Sequence, residues 1–202
     1  MASPSPPASP AEPVPARQRG RRKQAELLQA AAQLFAERGL RAVSVAEIAA
    51  AASAHPHQVT YYFGSKDGLF VRAALRLLLA DARRLEPIGR RQRTPSAFRN
   101  ALARTAVNLP SVPLAVQAMS ISEQRPELHD VTAHHLAVLF HQAAEYLSTV
   151  LDRRGWVVDR SLLVEARTFW SAVLGSRLIH SSGFGGSSSD IDLAGVLSVR
   201  EG

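Results

Sequence analysis

A chain of 202 residues, 46% hydrophobic, can bury a core and make one or two small domains. It has no cysteine, which excludes disulfides, thiolate metal sites and a cysteine nucleophile and fits a cytoplasmic location. No apolar run reaches the roughly 18 residues of a membrane span, and no signal-peptide apolar region opens the chain. The formal charge of +7 is unevenly placed: residues 1–90 hold 13 Lys/Arg against 7 Asp/Glu, and residues 91–202 hold 11 against 10. A basic N-terminal half favours a polyanionic partner, nucleic acid first.

Residues 1–16 are almost entirely Pro, Ala and Ser, too poor in apolar surface to repay ordering, so the first 20 residues are expected to form a disordered, basic-ended tail. Arg17, Arg19, Arg21, Arg22 and Lys23 follow without an acidic residue among them. They read as a flexible arm for a nucleic-acid backbone or minor groove.

Leu27, Leu28, Ala31, Leu34 and Phe35 repeat at helical spacing, predicting a scaffold helix over 22–38 that Gly39 closes. Ser44 and Glu47 make a capping box for a second helix, with Val45 and Ile48 inward and free amides suited to a phosphate. Ser53-Ala54-His55 is a turn, and Pro56 suits the first position of a third helix running to Phe63. Val59, Tyr62 and Phe63 anchor that helix, leaving His55, His57, Gln58, Thr60 and Tyr61 outside. Gln can pair with adenine, Thr can touch a thymine methyl, and His can donate to guanine; Tyr commonly reaches phosphate. Ser65 caps a fourth helix, and Lys66 in its first turn gains nothing from the helix dipole but would suit an external phosphate.

Helix, turn, helix and capped connector in this order form a reader of the DNA major groove. LLQAAAQLFAERG, SVAEIAAAA and VTYYFGSKDGLF resemble the DNA-binding domain of the TetR family of bacterial transcriptional regulators over residues 22–72. The resemblance implies an all-α homodimer: an N-terminal three-helix helix-turn-helix domain, here 21–66, and a C-terminal helical effector-binding and dimerisation domain, here 67–202, about nine helices together. It assigns Tyr61 and Lys66 to phosphates and Tyr62 and Phe63 mostly to packing. The chain departs from the family at Ser53-Ala54-His55, where Gly-Val-Ser is common, and at Pro56, His57 and Thr60. The expected DNA-facing set is Arg21, Arg22, Ser44, Val45, His55, His57, Gln58, Thr60, Tyr61 and Lys66.

The fourth helix continues to about Pro87, with Arg83 and Arg84 at its far end, and IGRRQRT over 88–94 reads as a loop. Further helices are expected from Thr94 to Asn108, from Ser111 to Glu123, over 127–152 until Arg153-Arg154-Gly155, and over 160–181. A Gly/Ser loop then leads to a last helix capped by Asp190. The helices at 160–181 and 190–200 are too apolar around their girth for a surface location, and the resemblance implies that they form the dimer contact.

The chemistry of catalysis is missing. His129, His134, His135 and His141 share a helix, but no two are three or four residues apart, so no metal site is expected. There is no nucleophile elbow, no phosphate loop after a strand and no paired carboxylates, which argues against an enzyme and calls for no cofactor. A small-molecule pocket is expected from Phe98, Leu102, Met119, His134, Phe140, His141, Phe169 and Trp170, favouring a largely apolar effector. The function expected is a ligand-responsive regulator, a repressor binding a palindromic operator; control by a protein partner is the alternative.

Overall fold

The computed structural model describes residues 16–184 and 192–202; expectations for residues 1–15 and 185–191 lie outside it. Nine α-helices carry most of the described chain: α1 Ala16–Arg38, α2 Val45–Ala51, α3 Pro56–Phe63, α4 Lys66–Ala82, α5 Glu86–Arg91, α6 Pro95–Val107, α7 Ser111–Glu123, α8 His129–Arg154 and α9 Leu162–Ser181. Short 3-10 turns at Arg83–Leu85 and Pro126–Leu128 lead into α5 and α8. Strand β1, Trp156–Val157, pairs antiparallel with β2, Arg200–Glu201. The class is all-α, as the periodicity predicts.

Local chemistry accounts for the helix starts. Ser44 Oγ accepts from Glu47 N at 3.2 Å while Glu47 Oε2 accepts from Ser44 N at 2.7 Å, the reciprocal capping box of α2. Ser65 Oγ caps α4 through Gly68 N at 3.0 Å, and Thr94 Oγ1 caps α6 through Ala97 N at 3.2 Å.

Three expectations are corrected. The basic run Arg17–Lys23 is not a flexible arm but the opening turns of α1. Arg, Gln and Lys are good helix formers, and Glu26 pairs with Arg22 at 2.9 Å and Lys23 at 2.7 Å. Residues 88–91 are helical rather than loop, because Pro87 falls in the first turn of α5, where a proline starts a helix instead of ending one. The last helix is absent among the described residues of its range: Leu193–Val196 form a turn and the chain leaves as β2. Asp192 Oδ1 accepts from Gly195 N at 2.8 Å and closes that turn.

One apolar core runs through both halves, and α4 belongs to both ends of it. On the N-terminal side Phe70 meets Phe35 of α1 edge-on, ring centroids 5.1 Å apart. On the other side α4 packs along α7, and Asp81 Oδ2 accepts from Ser111 N at 3.2 Å. The C-terminal core is built on Leu78, Phe98, Leu139, Leu147, Phe169 and Trp170, all buried.

Candidate nucleic-acid interface and regulatory cavity

The α2–turn–α3 unit is held from behind by Ile48, Val59 and Phe63, which are buried against Leu27, Phe35 and Leu69. Lys23 reinforces the turn: its Nζ donates to Ala52 O at 3.1 Å and Ser53 O at 3.2 Å. This basic residue of the expected arm is therefore spent on the fold. Ser53 adopts φ +47°, the left-handed region that side chains rarely enter. It stands where glycine is common in the resembling family.

The expected DNA-facing residues all lie on α1–α3, their caps and the first turn of α4, and most are open to solvent. His55, His57, Thr60 and Tyr61 are exposed, Tyr61 by 79%. The His55 and His57 rings stack across Pro56 with centroids 5.7 Å apart. Gln58 is only half exposed, and its Oε1 accepts from His55 N at 2.9 Å, capping α3. A bidentate pair with adenine uses both ends of that amide, so it has to share Oε1 with the cap, while the NH2 is left for a base. Arg21 and Arg22 are exposed on α1, and Arg22 is shared with Glu26.

At the start of α2, Ser44 is exposed and Val45 half-buried. Hydrogen bonds from the Ser44 side chain and backbone, then from Arg38 at 2.9 Å, hold the Glu47 carboxyl down at about 2. Glu47 therefore stays ionised beside the phosphate seat expected there, and Arg38 balances its charge. Lys66 is half-buried and makes no ion pair among the described residues.

Residues that the sequence does not single out tie this unit to the rest. Asp67, next to Lys66, pairs with Arg125 at 2.7 Å, linking the first turn of α4 to the α7–α8 junction. Gly68 lets α4 approach the end of α3: a Cβ there would sit 2.2 Å from Phe63 O.

A cavity of about 820 Å³ opens between the end of α4, α5 and α8. Its apolar wall is Leu85, Leu139, Ala143, Val150 and Trp170; Arg83, Glu86, Arg90, Glu145, Arg153 and Arg154 line the remainder with Gln142, Tyr146 and Thr149. Tyr146 braces it, donating to Leu85 O at 3.0 Å and accepting from Gly89 N at 2.9 Å. Burial pushes this phenol up to about 12, so it stays a donor.

Of the eight expected ligand residues, Trp170 alone lines this cavity. Leu102 and Phe169 join Trp170 around a much smaller space beside it. Phe98 is core, its ring 6.3 Å from Tyr146 and 5.7 Å from Trp156. Met119, His134, Phe140 and His141 line neither space. The cause is phase along α8: Leu139, Ala143, Tyr146 and Val150 share the inward stripe, whereas His134 and His141 are exposed. The arginine pairs 83–84, 90–91 and 153–154 are visible in the sequence, but nothing there says that Arg83, Arg90, Arg153 and Arg154 line one cavity.

Among the described residues no helix is long and apolar enough to cross a membrane, and no three His, Cys, Asp or Glu could together hold a metal ion.

Two family models cover most of the chain. The model for bacterial regulatory proteins of the tetR family matches residues 27–73, and that for the bacterial transcriptional repressor C-terminal domain matches residues 95–198. No curated protein matches. Among solved structures, a transcriptional regulator from Rhodococcus sp. RHA1 is 33% identical over 86% of this chain and 91% of that one, with a TM-score of 0.69. A TetR-family regulator from Rhodococcus sp. is 22% identical over 87% of this chain and 96% of that one, TM-score 0.60. Thermus thermophilus FadR, a TetR-family repressor in complex with lauroyl-CoA, is 21% identical over 86% and 88%, TM-score 0.55. The last two speak for the fold alone. Proteins of this kind are DNA-binding regulators and not enzymes, and the chain, matched in both its reader and its C-terminal helices, belongs to the TetR family of bacterial transcriptional regulators.

Proposed function

We propose that the protein is a homodimeric repressor that reads a palindromic operator through two copies of α3 and is released by a small molecule seated between α5 and α8. The observation that carries this reading is α3 itself: a short helix locked from behind by Val59 and Phe63 and presenting His57, Thr60 and Tyr61 to solvent. In this reading His55, His57 and Thr60 meet base edges and Gln58 contributes through its NH2. Arg21, Arg22, Ser44, Tyr61 and Lys66 meet the backbone, and Val45 lies against it.

A dimer is favoured by α9, where Val164, Leu178 and Ile179 are exposed by 43%, 50% and 46%. With no helix among the described residues of 190–200, α8 is the natural companion of α9 at that contact. Two readers then have to stand about 34–36 Å apart to enter successive major grooves. An effector acts by favouring a dimer with another spacing. The cavity lies at the far end of α4, and the Asp67–Arg125 and Asp81–Ser111 contacts brace α4 along its length. Movement at α5 thus has a rigid route to α3.

A mobility-shift titration tests this on DNA upstream of the protein's own gene, with random-sequence DNA as competitor. The expected outcome is a preference of about a thousandfold or more for the upstream DNA; equal affinities would overturn it. In the same assay Lys66→Ala should weaken binding to both DNAs alike and lower the salt slope by about 1.

A further inference from the structure

We infer that the cavity between α5 and α8 takes an organic anion, with an apolar body against Leu85, Leu139, Val150 and Trp170 and a carboxylate or phosphate head among Arg83, Arg90 and Arg153. This deepens the proposed function, since it rests on that cavity being the effector site, and it replaces the largely apolar effector expected from the sequence. The inference stands on charge and on pairing. Four arginines and two glutamates line the space. None of Arg83, Arg90, Arg153 and Arg154 has a carboxylate within ion-pair distance among the described residues, although ion pairs are frequent elsewhere, as at Arg84–Asp81 one residue from Arg83.

The fourth arginine is already committed. Arg154 donates to Gly89 O at 3.1 Å and to Arg90 O at 2.8 Å, and its guanidinium lies 5.9 Å from the Trp156 ring centre. It therefore fixes the end of α5 that carries Arg90. Arg83, Arg90 and Arg153 come from three separate elements, and their exposed heads make no competing ion pair. A guanidinium is a fork that binds carboxylate or phosphate through two parallel hydrogen bonds. A volume of about 820 Å³ is ample for a medium-sized metabolite and lies in the ordinary range of small-molecule sites. Neutral ligands of the same shape would fill the apolar wall and leave the three cations without partners.

Calorimetric titration of the DNA-free protein with octanoate, octyl phosphate and 1-octanol tests the inference directly. The two anions should bind at least tenfold more tightly than the alcohol. Arg90→Ala and Arg153→Ala should each weaken anion binding about tenfold while leaving 1-octanol unchanged. Arg84→Ala, outside the cavity, should change neither. Carboxylate and phosphate heads are told apart by which of the two anions binds more tightly. Equal binding of anion and alcohol, unaltered anion binding in both arginine variants, or no anion binding up to millimolar concentration would each overturn the inference. Release of the operator is read separately by mobility shift. Anion binding that depends on Arg90 and Arg153 but leaves the DNA complex intact would uphold the anion site and refute its effector role.

Discussion

Single residues set the tolerances of the reader, and two of them pull in opposite directions. At Gly68 an added Cβ meets Phe63 O, a backbone atom that cannot swing away. Gly68→Ala should therefore cost about 1–3 kcal/mol in urea denaturation, the scale of overpacking, and misset α3 against α4. Ser53, at φ +47°, is a side chain where glycine would be at ease. Ser53→Gly should raise stability by about 0.5–1 kcal/mol, the relief of a left-handed conformation less the added freedom of the unfolded chain. An unchanged midpoint in matched thermal melts would show that the turn is not strained. The caps at Ser44, Ser65 and Thr94 are legible in the sequence because each side chain satisfies an amide only three residues on. The Gln58 cap is not legible, because the partner position holds His55 instead of Ser or Thr, and so Gln58 reads as a free base contact.

Among the elements, α9 depends on one buried carboxylate. Glu165 is fully buried and takes Arg160 Nε at 2.8 Å and Nη2 at 3.1 Å, together with Ser198 N at 3.1 Å. It thereby binds the first turn of α9 to the C-terminal segment that leads into β2. Burial pushes its carboxyl up, but the hydrogen bonds from Arg160 and Ser198 outweigh that and leave it below the ordinary 4.5. A carboxylate depressed in the folded state stabilises the fold above its ordinary value, and that contribution fades as pH falls through 4.5 towards the folded value. Glu165→Gln should accordingly lower the thermal midpoint clearly at pH 7 and by progressively less as the pH is taken below 4.5, as scanning calorimetry can check. The helices α1–α4 and α6–α9 are legible from periodicity and caps. The short α5 is hidden by a proline that starts a helix rather than ending one, and the C-terminal segment is misjudged because its partners, Arg160 and Glu165, are more than 30 residues away.

For the whole molecule the open question is assembly. Leu178 is half exposed on a face it shares with Val164, the face that the proposed dimer would cover. Leu178→Glu should place two like charges at a two-fold contact. Sedimentation velocity should show the shift from dimer to monomer, with loss of operator binding and with helicity retained. A variant that stays dimeric would move the contact away from this part of α9.

The all-α class, the helix-turn-helix and the identity of its outward face follow from local pattern, since capping, periodicity and turn chemistry act over three or four residues. The cavity does not follow from local pattern. Arg83, Arg90 and Arg153 are scattered over 70 residues and come to line one cavity only because α5 folds back on α8, held by Tyr146 and Arg154 at Gly89. The sequence alone determined that this protein reads DNA. Tertiary structure decided that four arginines and two glutamates share one cavity, because charges on separate helices acquire a common address only when packing brings the helices together.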